Sequence, residues 1–237
     1  MRRPLDNLNA EAPPRVARRA RFTPIFQSLL VGLVAALLLV AFVSLGGEVL
    51  EGATSGFDGY ILRHVQLWRT GHPGFVSAMR DLSGLGSTVV LTVVVLLSVG
   101  YLLLVSARTT ALLVAASAIS ATALVSVFKS VFSRVRPDAA FAELVAPGLS
   151  FPSGHATMSA AIFLTMGALL ASTRSRGQER VYILFAAAVL TVLVGLSRVG
   201  LGVHWATDVL AGWAFGSAWA MVWLLVARGS THRASAA

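Results

Sequence analysis

A histidine and an aspartate four residues apart, His204 and Asp208, form the pair in this sequence best suited to chemistry. Positions i and i+4 share one face of a helix, so the Asp208 carboxylate can accept a hydrogen bond from one ring nitrogen of His204 and leave the other as a nucleophile. Arg198 precedes the pair and could bind an anion. Histidines and arginines near membrane helix ends are also common as anchors or packed core groups, so this segment alone does not establish a site.

Two further clusters strengthen the case for an anion site. The segment 152–155, Pro-Ser-Gly-His, is typical of a tight turn that enters a helix, where backbone N–H groups and the helix dipole favour a bound anion. Lys129 and Arg136 come before it. Phosphoryl transfer requires neutralisation of the charge on three equatorial oxygens and an in-line attacking group. With Arg198, three cations would supply the neutralisation, and clustering them without an anion would cost several kcal/mol.

Other candidate chemistry is excluded or assigned a lesser role. The chain has no cysteine, which excludes disulfides, thiolate metal sites and cysteine nucleophiles. No Asp/Glu/His cage suited to Mg²⁺ accompanies the clusters, so the sequence predicts no metal and no cofactor. Arg134 and Asp138 are interpreted as local loop charges. The remaining histidines lack partners at catalytic spacing and are interpreted as interfacial or exposed: His64, His72 and His232.

The composition places this chemistry in a membrane. Of the 237 residues, 56% are hydrophobic and 12% charged, with a mean hydropathy of +0.78. This predicts an all-α integral membrane protein, one bundle of six transmembrane helices. The first apolar run is interpreted as a retained helix because the segment 46–48, Gly-Gly-Glu, is a poor cleavage site. The expected spans lie near 25–45, 88–106, 109–128, 156–172, 181–197 and 206–227.

The distribution of charge orients the bundle. The segments expected on the side of the termini hold 12 of the 19 Lys and Arg but only 3 of the 10 Asp and Glu. The positive-inside rule then places both termini in the cytoplasm and the three clusters on the extracytoplasmic face. We expect a disordered basic tail over 1–24, a membrane domain over 25–227 and a cytoplasmic tail over 228–237. The net charge of +9 is dispersed, with no aromatic-lined basic face, so no nucleic-acid partner is expected; the basic tail is expected to contact anionic lipid headgroups.

A segment between the first two spans, 57–70, has the pattern of an amphipathic helix. Phe57, Tyr60, Ile61, Val65 and Trp68 recur at helical spacing, with polar residues opposite them: Asp58, Arg63, Gln66 and Arg69. This pattern predicts a helix lying in the outer interface of the membrane. Whether it is a packing element, a lid or a wall for lipid entry stays open.

The three clusters together resemble the signature of the type 2 phosphatidic acid phosphatases, whose superfamily also includes the vanadium haloperoxidases. The signature is Lys, six residues, Arg-Pro; then Pro-Ser-Gly-His; then Ser-Arg, five residues, His, three residues, Asp. Every part is present, and the resemblance covers about residues 80–227, including Gly-Leu-Gly-Ser at 84–87. It implies a six-helix fold with its site at the membrane surface. It also implies that His204 is the nucleophile, that Asp208 orients it, that His155 protonates the leaving oxygen, and that phosphate is bound by Lys129, Arg136, Ser153, Gly154 and Arg198.

The predicted function is hydrolysis of a lipid phosphate or diphosphate monoester headgroup, through a phosphohistidine intermediate and without a metal. Undecaprenyl diphosphate, phosphatidate and phosphatidylglycerol phosphate all fit, and the polyprenyl diphosphate ranks first because its bacterial recycling occurs on the outer face. A lipid phosphotransferase with the same intermediate is the first alternative. A non-enzymatic transporter is the second, although transport sites lie near mid-membrane rather than at helix ends. The sequence predicts no oligomeric state.

Overall fold

A computed structural model describes residues 24–234, and every regular element in that range is helical. Of the predicted basic tail, only Pro24 falls within this range, and the predicted C-terminal tail lies partly outside it. A single 3₁₀ turn, Ala139–Phe141, interrupts the long loop between the fifth and sixth helices. The α-helices are α1 Pro24–Leu50, α2 Ser55–Thr70, α3 Pro73–Leu85, α4 Thr88–Leu104, α5 Arg108–Phe132, α6 Gly154–Ser172, α7 Gly177–Gly200 and α8 Ala206–Ala234.

Six segments within the described range are long and apolar enough to cross a membrane, which confirms the predicted six-helix membrane fold. The second differs from the prediction, because its apolar stretch runs from Pro73 to Leu104 and includes α3 as well as α4. The helical conformation is interrupted between α3 and α4 at Gly86. The Ser87 side chain accepts a hydrogen bond from the Val90 N–H at the start of α4. The protein is therefore a multi-pass membrane protein.

Close packing of α6 against α8 brings two of the predicted clusters together. A Cβ atom added to Gly216 of α8 would lie 2.3 Å from the Thr157 carbonyl oxygen of α6, a distance that only glycine permits. Small residues allow membrane helices this close approach. At the end of the same interface, the Ser153 backbone N–H donates to the Asp208 carbonyl 3.0 Å away. The start of α6 is thus fixed beside the start of α8.

An aromatic cluster supports the turn that enters α6. Phe151 is fully buried directly before the Pro-Ser-Gly-His segment. Its ring centroid lies 4.6 Å from that of Phe132 at the end of α5 and 5.9 Å from that of Phe42 in α1. Aromatic pairs at these separations contribute beyond the area they bury. The turn is therefore anchored to two neighbouring helices rather than held by its own backbone alone.

The amphipathic segment forms α2, as the sequence predicts, but two of its polar residues face the protein. Asp58 is 1% exposed and Arg69 6% exposed. Ile61 and Val65 pack against the core between α6, α7 and α8, whereas Trp68 is 53% exposed. Charged side chains are buried only where they have partners, so α2 is packed into the protein and does not only lie on the surface of the bilayer.

Candidate active site

The His204 side chain is held against Asp208, but not by the helical spacing expected from the sequence. His204 lies in the turn between α7 and α8, and Asp208 is in the first turn of α8. The turn folds back onto the helix, so that the His204 Nδ1 atom is 3.2 Å from Asp208 Oδ2. An ionised carboxylate only accepts hydrogen bonds, so Nδ1 carries the proton and Nε2 keeps its lone pair.

A glycine shapes this turn. Gly202 has a φ of +69°, and a Cβ atom there would lie 1.9 Å from the Phe141 carbonyl oxygen. Any side chain would therefore combine an unfavourable backbone conformation with a steric clash against the loop before α6. The loop and the turn are also joined by a hydrogen bond from the Glu143 N–H to the Leu201 carbonyl, 3.0 Å long. The position of His204 depends on this close contact.

Asp208 is fully buried and each of its oxygens is occupied. Besides His204, Oδ2 accepts the Trp205 backbone N–H at 2.9 Å and the Ser150 hydroxyl. Oδ1 accepts Nη1 of Arg134 at 2.7 Å. The carboxylate is thus fixed in rotation, which in turn fixes the plane and the tautomer of the imidazole.

Arg136 lies against the other nitrogen of the same ring. Its Nη1 atom is 3.0 Å from His204 Nε2 and 2.7 Å from the Val203 carbonyl oxygen, and its Nε donates to the Gly148 carbonyl at 2.9 Å. A guanidinium has only donors, so Nε2 must be the acceptor, in agreement with the proton on Nδ1. Burial lowers the pKa of His204 to about 4; the Asp208 carboxylate opposes this shift, and the Arg136 charge adds to it. The ring is neutral at physiological pH.

Two buried polar atoms in the other clusters have no hydrogen-bond partner among residues 24–234. One is the Ser153 Oγ at the N-terminus of α6, and the other is Nε of Arg198 in the last turn of α7. Arg198 is otherwise held by a bond from Nη1 to the Ser83 hydroxyl of α3. Buried polar groups are normally satisfied, so orphaned donors of this kind fit an anion with several acceptor oxygens.

Lys129 and His155 complete the site. Lys129 is in the last turn of α5, with Nζ 2.5 Å from the Leu149 carbonyl oxygen. His155 is the second residue of α6 and is close enough to Arg198, His204, Arg136 and Lys129 to interact with them electrostatically. The structure thus brings all eight predicted site residues to one end of the bundle, where a helix N-terminus adds positive potential.

A cavity of about 430 Å³ opens next to His155 and extends between α4, α5 and α6. Lys129, Gly154 and His155 line its polar end. Gly86 is part of its lining, and a Cβ atom there would lie 2.3 Å from Val194 Cγ1 and 3.4 Å from the His155 ring. The remaining walls are mostly apolar and include Leu91, Val95, Val99, Ile119, Met158 and Ile162.

Sequence reasoning missed three members of the site and misjudged one of them. Arg134 is not a local loop charge, because it forms ion pairs with Asp208 and with Asp58 of α2. The only sequence feature that pointed to a role for Arg134 was its position two residues before Arg136. Ser150 and Asp58 carried no signal, since their contacts join distant parts of the chain. Asp138 is local as interpreted: its Oδ1 accepts the Ala140 N–H at 2.9 Å and begins the 3₁₀ turn.

Metal binding has no obvious location in the part of the chain that the structure describes. Among the side chains of residues 25–229 there is no group of three or more His, Asp or Glu arranged to hold a metal ion. The prediction that no metal takes part in the chemistry is not tested by this observation and stays a prediction.

Comparison with known proteins agrees with the geometry. The family model of the PAP2 superfamily matches residues 110–231, which include every predicted site residue. Phosphatidylglycerophosphatase B of Bacillus subtilis is 45% identical over 94 residues, which are 38% of this chain and 44% of that relative. The chain thus spans less than half the length of this relative. Decaprenylphosphoryl-5-phosphoribose phosphatase of Mycobacterium tuberculosis is 34% identical over 148 residues, 61% of this chain and 76% of the relative.

A solved structure shares the fold. The crystal structure of a transmembrane PAP2 type phosphatidylglycerolphosphate phosphatase from Bacillus subtilis superposes with a TM-score of 0.74 at 26% sequence identity. The similarity covers 83% of this chain and 96% of that one.

Proposed function

The chain belongs to the PAP2 superfamily, and within that family we propose that it is a membrane lipid phosphatase with a phosphohistidine intermediate on His204. The observation that carries the proposal is the orientation of the His204 ring. Asp208 accepts a hydrogen bond from the Nδ1–H group, and Nε2 presents its lone pair to Arg136. A neutral, oriented imidazole beside a cluster of cations is suited to attack on a phosphate.

In the proposed first step, Nε2 of His204 attacks phosphorus in line with the leaving group. The P–N bond forms while the P–O bond to the lipid breaks. His155 donates a proton to the departing oxygen, so a lipid alcohol or a lipid monophosphate leaves with that oxygen protonated. In the second step, His155 takes a proton from water, the hydroxide attacks phosphorus, and the P–N bond breaks. The products are inorganic phosphate and the regenerated His204.

The phosphate would be held by donors that the protein itself leaves unsatisfied. Arg198 Nε and Ser153 Oγ are buried without partners in the described range, and the first N–H groups of α6 begin at Gly154. Lys129 and Arg136 add two positive charges at the same end of the bundle. Donors arranged in advance stabilise the developing charge of a phosphoryl transition state without reorganisation. Since these groups neutralise the anion, we expect activity without a metal ion.

Membrane lipids are the proposed substrates because the apolar cavity begins at His155. A headgroup at the cation cluster would leave its hydrocarbon tail against the walls formed by α4, α5 and α6. The relatives described above are named for a glycerophospholipid phosphate and for a polyprenyl-linked sugar phosphate. A phosphate or diphosphate monoester headgroup covers both chemistries and the three candidates predicted from sequence, of which undecaprenyl diphosphate ranks first.

The proposed location of the site is the extracytoplasmic face. An even number of crossings, six, would leave both chain termini on the same side of the membrane. The turns on that side carry the excess of arginine, so the positive-inside rule assigns the side to the cytoplasm. The three clusters are at the opposite ends of the helices.

The test is phosphate release by purified protein in detergent micelles, against a panel of undecaprenyl diphosphate, phosphatidate and phosphatidylglycerol phosphate with EDTA present. We expect release from at least one of these lipids, and none by His204→Ala. Ser175→Ala, in the exposed turn at the far end of the bundle, is the matched control. Loss of the lipid phosphate only when a lipid or sugar hydroxyl is supplied, with the phosphate transferred to that hydroxyl and none released, would identify a phosphotransferase. No release from any lipid by a folded wild-type protein would overturn the proposal.

A further inference from the structure

Arg134 joins two buried carboxylates that the signature motifs do not connect. Its Nη1 atom donates to Asp208 Oδ1 at 2.7 Å, and its Nη2 atom donates to Asp58 Oδ2 at 2.6 Å. The exposed fraction of the side chain is 14% for Arg134, 1% for Asp58 and 0% for Asp208. Charges this well buried persist only when they are paired and hydrogen-bonded, so the three groups form one unit.

Threonines on either side of Arg134 complete the unit. The Thr207 N–H donates to Asp58 Oδ1 at 3.0 Å, and its hydroxyl donates to Asp58 Oδ2 at 2.6 Å. The same hydroxyl accepts Nη1 of Arg134 at 2.8 Å, and Thr54 accepts Nη2 at 3.1 Å. Because Thr207 precedes Asp208, these bonds attach the first turn of α8 to the start of α2. The amphipathic helix is thereby tied to the carboxylate that orients His204.

We propose that Arg134 and Asp58 are positioning residues for the His204 nucleophile: they act through Asp208 and do not touch the phosphate. Arg134 contacts Oδ1 of Asp208, whereas His204 contacts Oδ2. Without Arg134, the Asp208 carboxylate would lose the hydrogen bond that fixes its rotation. It would also lose the positive charge that is in contact with it. Asp58 holds the guanidinium in the required plane and docks the helix that carries Asp208.

The geometry separates this role from phosphate binding. Two of the groups proposed to hold phosphate are located elsewhere: Arg136 contacts His204 Nε2, and Arg198 is in α7. Arg134 makes no hydrogen bond to either of them. Partners behind a metal-bound histidine tune its orientation and basicity, and their loss typically lowers activity about 10- to 100-fold; the same range is expected for a carboxylate behind a reactive histidine. The expected defect is therefore in the chemical step and not in the affinity for an anion.

The inference rests on the proposed function. It is tested with four variants of the whole chain: Arg134→Gln, Arg134→Lys, Asp58→Asn and the double variant Arg134→Gln/Asp58→Asn. Arg63→Gln, an exposed arginine on the same helix as Asp58, is the matched control. Measured are kcat and KM for lipid phosphate, the inhibition constant of vanadate, and the thermal unfolding midpoint. Vanadate is the anion probe because it adopts the geometry of the transferring phosphoryl group.

We expect Arg134→Gln and Asp58→Asn to lower kcat about 10- to 100-fold with KM and the vanadate constant within about 3-fold of wild type. Arg134→Lys should recover part of kcat, because it keeps the charge but only one of the two contacts. The double variant should be no worse than the poorer single variant, as expected for residues that act as a unit. Arg63→Gln should match wild type.

A folded Arg134→Gln with kcat within twofold of wild type would overturn the proposal. So would a loss of vanadate binding equal to the loss of kcat, because it would place Arg134 in the phosphate site. If the charge variants do not fold, Thr54→Val and Thr207→Val remove hydroxyl partners and leave both charges; each should lower kcat at unchanged KM, and wild-type kcat in both would also overturn it. An inactive wild type would instead refute the proposed phosphatase function.

Discussion

Arg136 Nη1 lies 3.0 Å from Nε2 of His204, the atom to which the proposed mechanism assigns the attack on phosphorus. The guanidinium therefore occupies the lone pair of the nucleophile when it also binds the carbonyls of Val203 and Gly148. A substrate phosphate must take over this contact. In the proposed mechanism the same guanidinium would then pair with the phosphate oxygens, so release of the nucleophile and recognition of the anion would be one event.

The first prediction concerns the planar fork of Arg136. Arg136→Lys keeps the charge but cannot donate to Val203, Gly148 and a phosphate oxygen at once, so kcat/KM should fall by a factor that corresponds to about 2 kcal/mol or more. Steady-state phosphate release measures it. Arg80→Lys, at an exposed arginine that donates to the Glu143 carbonyl, serves as control. Wild-type kcat/KM in Arg136→Lys would remove this residue from the phosphate site.

The second prediction separates the two histidines. His204→Ala should abolish turnover of every substrate, because no other side chain in the part of the chain that the structure describes is positioned to form the intermediate. His155→Ala should still form phosphoenzyme from p-nitrophenyl phosphate, whose leaving group departs without protonation, but should hydrolyse it slowly. Rapid quench should detect an acid-labile phosphohistidine in His155→Ala only. Phosphoenzyme in His204→Ala would reverse the two roles.

The third prediction concerns protonation of the nucleophile. Burial lowers the pKa of His204 to about 4, whereas an unfolded histidine titrates near 6.5. Between these values the unfolded chain binds more protons than the folded one, so this residue makes the protein less stable as pH falls through that window. Histidine ¹⁵N NMR should show a neutral ring with the proton on Nδ1 at pH 5.5, assigned by its loss in His204→Gln. A doubly protonated ring at that pH would contradict the geometry.

The fourth prediction concerns topology, which the absence of cysteine makes simple to measure. Ala139→Cys, in the exposed loop beside the site, should react with a membrane-impermeant thiol reagent in intact cells. Ser175→Cys, in the exposed turn at the other end of the bundle, should react only after lysis. The opposite pattern would reverse the proposed orientation.

The fifth prediction concerns the helix contact that assembles the site. Gly216→Ala places a Cβ atom 2.3 Å from the Thr157 carbonyl oxygen, so α6 and α8 must separate. Both the thermal unfolding midpoint and kcat should fall, since Ser153 and Asp208 are on the two helices that move. Gly100→Ala in α4 meets no atom within 4 Å and is the control. An unchanged midpoint in Gly216→Ala would show that this contact is not required.

The six spans and the assembly of the signature residues could be predicted because both depend on local patterns. Apolar runs of spanning length report the helices directly, and the motif spacing pointed to His204, Asp208 and Arg136. The Arg134–Asp58 pair could not be found in the same way. Its two residues are 76 positions apart, and the amphipathic pattern of α2 placed Asp58 on the polar face without indicating a partner. The polarity of a helix face does not reveal a buried ion pair, because the partner comes from elsewhere in the fold.

The orphaned donors of the site, Ser153 Oγ and Arg198 Nε, have a consequence for turnover. Donors that lower the energy of the transferring phosphoryl group also bind the inorganic phosphate that hydrolysis produces, because the two share charge and oxygen geometry. Each time the product dissociates, these buried donors are again left without a hydrogen-bond partner, which costs free energy. Departure of phosphate, rather than cleavage of the lipid ester, would then limit the velocity at saturating substrate. Such an enzyme would work fastest where free phosphate is scarce and slow down as its own product accumulates.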